Sequence, residues 1–220
     1  MRYTTESDIK SVRVRQDKAF ADGTQDERYQ PLLRTYEVAD TSHADYWGSV
    51  VGNAVGAYQF GTAGPVTSIC DLPLNPLRTG ILLSAIQHRL AHWIQYDELP
   101  PDSAFMEWEG DFGMGDGNAL YGVRPPRINV PLGKYLGTNP YTVDVNDENY
   151  SRTAAIICGG IIGSFDAFSA EELEARYTNH MAYVDLTWWE MWQSFDDGFL
   201  LPVDALTIIN EAVECDGLPD

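Results

Sequence analysis

Basic residues are scarce. Of 220 residues only Lys10, Lys18 and Lys134 are lysine, and Lys and Arg together number 14 against 33 Asp and Glu, a formal net charge of −19. Duplex binding rests on Lys and Arg neutralising phosphates, so a surface this acidic repels nucleic acid. An acidic face that mimics DNA towards a nucleic-acid-binding protein stays open; the simpler reading is a plain acidic surface, which would also suit a salt-rich setting. Long apolar runs are missing as well. The longest, 154–165, contains Gly159, Gly160 and Gly163 and falls short of the roughly 20 residues of a membrane helix. Residues 1–20 carry charges throughout, so no secretory leader is expected there. Cysteine is thin and odd in number. Cys70, Cys158 and Cys215 cannot make a disulfide scaffold. One Cys70–Cys158 bridge and buried free thiols are both open. No histidine is spaced beside them as a zinc partner.

A serine-hydrolase elbow, G-x-S-x-G, is also absent. Gly163-Ser164 follows an apolar run but lacks the second glycine and the strand–turn–helix order. No internal repeat recurs at a period of about 20–50 residues.

What is present is a globular composition, 44% apolar and 12% aromatic, consistent with a single domain over 1–220. Residues 1–8 are β-prone and end in acids. Residues 10–31 are polar and form a surface helix or excursion, and 33–39 read as a second strand. The Gly-, Ala- and Pro-rich stretch 46–77 reads as irregular. Ile81, Leu82, Ala85, Ile86, Leu90, Trp93 and Ile94 recur at helical spacing, so a helix spans 80–96, stopped before Pro100 and Pro101. Residues 102–150 hold turns, with Asp116-Gly117-Asn118 among them, and strand-like pieces at 105–108, 128–130 and 141–143. Cys158 ends another strand-like run. The last third is helical: Ser169 and Glu172 form a capping box, Asn179 can cap a second helix, and Pro202 opens a third.

The chemistry concentrates in two places. TYEVADTSHADYW, 35–47, carries a strand into a polar loop, and His43 sits on that loop. Loops at strand ends are held by a rigid sheet, and imidazoles titrate near working pH, so His43 is a candidate proton carrier. A surface-loop histidine is the bland alternative. TTESD, 4–8, places Glu6 and Asp8 after another strand. A carboxylate on the far nitrogen of an imidazole fixes its tautomer, so an acid and His43 some 35 residues apart fit the second half of a Ser…Asp…His order. TESD equally resembles a helix start. His88 and His92 have metal spacing but lack the H-E-x-x-H glutamate, and Asp111, Asp116 and Asn118 miss the calcium-loop pattern, so no metal and no cofactor are expected. Trp188, Trp189 and Trp192 read as core or interface.

Further motifs carry a resemblance. RQD at 15–17 and YEVADTSHAD at 36–45 follow TTESD. Then come LPLNP after Cys70, HWIQYDELPP at 92–101, GNALYGVRPPRINVPLGKY at 117–135, and ELEARYTNHMAYV and DGFLLPVDA within 172–205. In this order the chain resembles the C-terminal half of a bacterial family of alpha/beta hydrolase domains, over nearly its whole length. Asp40 stands where the family usually has glycine. The resemblance implies an α/β class, a partial α/β-hydrolase fold made of the last strands of the sheet plus C-terminal helices. In it, 1–60 hold the acid and histidine loops, 61–150 a helix with Pro/Gly-rich loops, and 151–220 the final helices. It implies His43 as catalytic histidine and Asp8, or else Glu6, as the acid. It also implies that the nucleophile and most of the sheet lie in a second polypeptide. The expected function is hydrolysis of a small carboxylic ester or related acyl bond, with no nucleic acid or membrane as partner. A non-catalytic assembly subunit derived from a hydrolase is the alternative.

Overall fold

A computed structural model describes residues 1–12, 33–61, 69–106, 116–144 and 146–219. Among them are eight helices and two two-stranded sheets, an α/β arrangement with only part of an open sheet. Of the expected excursion at 10–31, residues 10–12 are helical and 13–31 lie outside the described residues, as does the end of the 105–108 piece.

The first sheet holds β1 (Arg2–Thr5) parallel to β2 (Thr35–Val38), with Tyr3 opposite Tyr36 and Thr5 opposite Val38. The other edge of β2 is occupied by loop backbone: the Glu37 N–H donates to Ala104 O at 2.9 Å, and the Val123 N–H donates to Glu37 O at 2.8 Å. β2 is therefore central, and the far edge of β1 carries no strand among the described residues. Tyr36 and Val38 are buried and pack with Leu82, Ile86 and Val123. Tyr36 meets Phe199 edge-on, at 5.2 Å between centroids, and its hydroxyl donates to Pro101 O at 2.7 Å, so this buried phenol is satisfied.

Helix α1 (Glu6–Val12) follows β1 without a gap. Helix α2 (Tyr46–Phe60) occupies the first half of the stretch expected to be irregular. Asp45 starts it by accepting from the Gly48 N–H, and Gly61 stops it at φ 68°. Its apolar side chains Val50, Val51, Val55, Tyr58 and Phe60 are exposed, so no core-facing stripe marked it in the sequence. Helix α3 (Thr79–Tyr96) matches the periodicity; it stops at Asp97 in the left-handed region, ahead of the prolines.

The strand-like reading of 128–130 is corrected to a single helical turn, α4 (Pro126–Asn129), because Pro125-Pro126 sets the helical φ at its start. The run ending at Cys158 is helix α5 (Glu148–Gly160), begun by the Asp147 carboxylate. Residues 141–143 join no ladder. β3 (Gly133–Leu136) and β4 (Ser164–Ala167) form the second, antiparallel sheet. α6 (Ala170–Arg176) has the full Ser169–Glu172 capping box, α7 (His180–Asp196) is capped by Asn179, and α8 (Pro202–Val213) opens on its proline. α7 and α8 pack along each other around Met191, Leu200 and Ile208.

Cys70 and Cys158 are bridged, with Cα atoms 5.6 Å apart, which settles the alternative left by the sequence; Cys215 is free. No helix among the described residues is long and apolar enough to cross a membrane.

Candidate active site

Two parallel neighbouring strands deliver their following segments to the same end of the sheet, where open α/β sheets keep their ligands. Here that end joins TTESD to the 40–45 loop. Thr5 ends β1 and opens α1. The Asp8 N–H donates to Thr5 Oγ1 at 3.3 Å, and the Thr5 N–H donates back to Asp8 Oδ2 at 3.1 Å. This is reciprocal capping with aspartate in the place of glutamate. The Thr5 hydroxyl also donates to Oδ2 at 2.7 Å. So the strand end and the helix start, alternatives on paper, coexist, and the turn orients the Asp8 carboxylate.

The other Asp8 oxygen, Oδ1, lies 2.7 Å from His43 Nδ1. Burial pushes the Asp8 carboxyl up, but the Thr5 and His43 hydrogen bonds outweigh it and hold the group below its ordinary value. An ionised carboxylate can only accept, so Nδ1 carries a proton, and in the neutral ring the lone pair is then on Nε2. Among the described residues Nε2 has no partner. The imidazole is 63% exposed and the Asp8 side chain 25%.

The residues between the two acids hold the histidine loop. Ser7 is fully buried; its Oγ accepts the His43 N–H at 2.6 Å, and its own N–H donates to Thr41 O at 3.2 Å. Glu6 does not meet His43 in any hydrogen bond among the described residues. It is 1% exposed, and its carboxylate accepts the N–H of Asp40 at 3.0 Å and of Gly137 at 3.3 Å. Of the two candidate acids, Asp8 is the one against the imidazole, and Glu6 holds loop backbone. A Cβ on Gly137 would lie 2.6 Å from Thr41 O and 2.8 Å from the Ser7 nitrogen, so only glycine fits beneath this junction.

Further along the loop, Asp40 is buried at φ 54°, and its Oδ2 accepts the Ala119 N–H at 2.9 Å. Asn75 donates to Asp40 O at 2.6 Å. The Ala44 N–H donates to Ile161 O, beyond the helix that carries the disulfide. Asp45 Oδ2 accepts from both the N–H and the hydroxyl of Thr79. Every residue from 40 to 45 is thus tied by at least one hydrogen bond.

The remaining candidates stand apart. His88 and His92 stack at 4.3 Å, and His92 pairs with Glu98; no group of three ligating side chains occurs among the described residues. Asp116 accepts from the Asn118 N–H as a turn residue and pairs with Arg176, while Asp111 lies outside the described residues. Ser164 is buried in β4 with its hydroxyl on Thr138 O. Trp188, Trp189 and Trp192 are half exposed rather than core. Sequence reasoning missed Ser7. A buried serine between two acids has no periodic signal; only its place between the two candidate acids of TTESD could have pointed to it.

Residues 1–210 match the model of a family described as alpha/beta hydrolase domain, and the chain belongs to that family. No curated protein and no solved structure matches it.

Proposed function

We propose that this chain supplies the base and the orienting acid of a serine-type hydrolase acting on a carboxylic ester or related acyl bond. The observation that carries the reading is the Asp8–His43 contact at 2.7 Å through Nδ1, made by an ionised carboxylate. In this reading His43 Nε2 takes the proton of an attacking hydroxyl as its oxygen bonds to the acyl carbon. The imidazolium, steadied by Asp8, then returns that proton to the departing alkoxide. Water repeats the cycle on the acyl-enzyme.

The attacking hydroxyl comes from a second polypeptide that also extends the sheet. Three observations support this. The chain has no nucleophile elbow. The outer edge of β1 carries no strand among the described residues. The apolar side chains of α2 are exposed. The test is to label the native complex with a serine-directed fluorophosphonate and follow turnover of a nitrophenyl ester. Labelling of a co-purifying chain, lost in His43→Ala together with at least roughly a thousand-fold of turnover, is the expected outcome. A well-formed assembly without labelling would favour a non-catalytic subunit, for which the exposed Trp188, Trp189 and Trp192 speak.

A further inference from the structure

A cleft of about 610 Å³, part of it open to solvent, lies between β2, α3, α7 and α8. Apolar clefts with a few polar groups on their walls are the usual form of small-molecule sites. Its walls include Val38, Leu82, Leu200 and Ile208, and its rim carries Arg78, Arg124 and Arg127. The one acid on the lining is Glu211. Its two oxygens bind Arg78 and Arg127, each at 2.7 Å. Three arginines therefore line the cleft with a single carboxylate, in a chain whose overall charge is −19.

Arg124 is the unmatched member. It donates through one terminal nitrogen to Ile128 O at 2.9 Å; its other terminal nitrogen has no partner among the described residues, and its Nε, also unpartnered there, is fully buried and does not face the cleft. Among the described residues no acid pairs with Arg124, which lines an apolar cleft. Thr41, two residues before His43, forms part of the same wall.

We infer that this cleft binds a small organic carboxylate, with its head on Arg124 and a short apolar tail among Leu82, Leu200 and Ile208. Guanidinium–carboxylate pairing supplies the directional contact, and the apolar walls supply the rest. The chain's net negative charge does not forbid it, because charges more than about 8 Å away are largely screened at physiological salt. The inference stands apart from the hydrolytic reading, since binding is measured without turnover.

Calorimetry on the intact chain with octanoate, octanol and octylamine tests it. Octanoate is expected to bind one to one, octanol roughly ten-fold or more weakly, and octylamine not at all. Added salt weakens octanoate but not octanol. Arg124→Leu removes the preference for octanoate, and Arg124→Lys keeps part of it. Should Arg124→Leu fail to fold, the salt series on the unaltered chain decides. Ile208→Trp fills the cleft and removes binding of octanoate. Equal affinity for octanoate and octanol, no binding of either, or octanoate binding that survives Ile208→Trp would each overturn the inference.

Discussion

The hydroxyl oxygen of Ser7 accepts the backbone N–H of His43 at 2.6 Å. One buried side chain thus fixes the backbone of the imidazole-bearing residue, while its neighbour Asp8 fixes the ring. Both bonds come from the first turn of α1, so backbone and ring are referenced to the same rigid element.

Ser7→Ala follows from this pairing. The substitution leaves the His43 N–H without its acceptor, at a cost of about 1–3 kcal/mol. In the native complex kcat should fall roughly ten-fold with little change in KM, since the ring is mispositioned and no substrate contact is lost. Steady-state kinetics with urea denaturation alongside checks this. An unaltered kcat with the full stability loss would leave Ser7 a purely structural residue.

Asp8 carries a pH signature. Its folded-state carboxyl titrates below its ordinary value, because the Thr5 and His43 bonds overcome the effect of burial. The ionised form therefore contributes stability above about pH 4, and that contribution is lost as the pH falls through the lower folded value. Asp8→Asn should flatten this acid limb in denaturation midpoints taken from neutral pH downward. In the native complex it should also lower kcat by roughly 10²–10⁴-fold by upsetting the imidazole tautomer. A limb as steep as in the unaltered chain would remove Asp8 from the account.

Asp40 tests a local trade. Its φ of 54° costs a non-glycine residue roughly 1–2 kcal/mol, which glycine would recover. Its carboxylate, however, accepts the buried Ala119 N–H, and a charged hydrogen bond is worth about 1.5–3 kcal/mol. Glycine also costs roughly 0.5–1 kcal/mol in unfolded-chain entropy. Asp40→Gly should therefore be mildly destabilising, by about 1 kcal/mol. Asp40→Ala should be worse, because it keeps the strain and loses the bond. Chemical denaturation ranks the two, and a more stable glycine variant would show that the backbone term dominates.

The Cys70–Cys158 bridge spans 88 residues of chain. The loop-entropy model gives such a closure roughly 4–5 kcal/mol of stabilisation. Paired Ser substitution should lower the urea midpoint accordingly and loosen the 161–163 segment that braces Ala44. Hydrogen exchange at Ala44 reads that second effect; unchanged protection there would confine the bridge to global stability.

The sequence by itself determined the elements that carry a strong local signal, and misread the short runs at 128–130 and before Cys158 that do not. The stripe of α3, the Ser169–Glu172 box, the Asn179 cap and the Pro202 start are local rules, each satisfied inside one or two turns. That an acid of TTESD meets His43 was legible too, with Asp8 and Glu6 both open, because two strand ends bearing complementary groups have few ways to meet on one sheet. Tertiary structure decided what those rules cannot reach. It made α2 a helix without a buried face, and it closed the disulfide across 88 residues. It also turned Glu6 away from the histidine to hold Asp40 and Gly137. Side-chain direction at a strand–helix junction depends on which backbone N–H groups arrive beside it. Those groups come from segments more than thirty and more than a hundred residues downstream. Only the parallel register of β1 against β2, and the passage of 133–139 beneath it, brings them there.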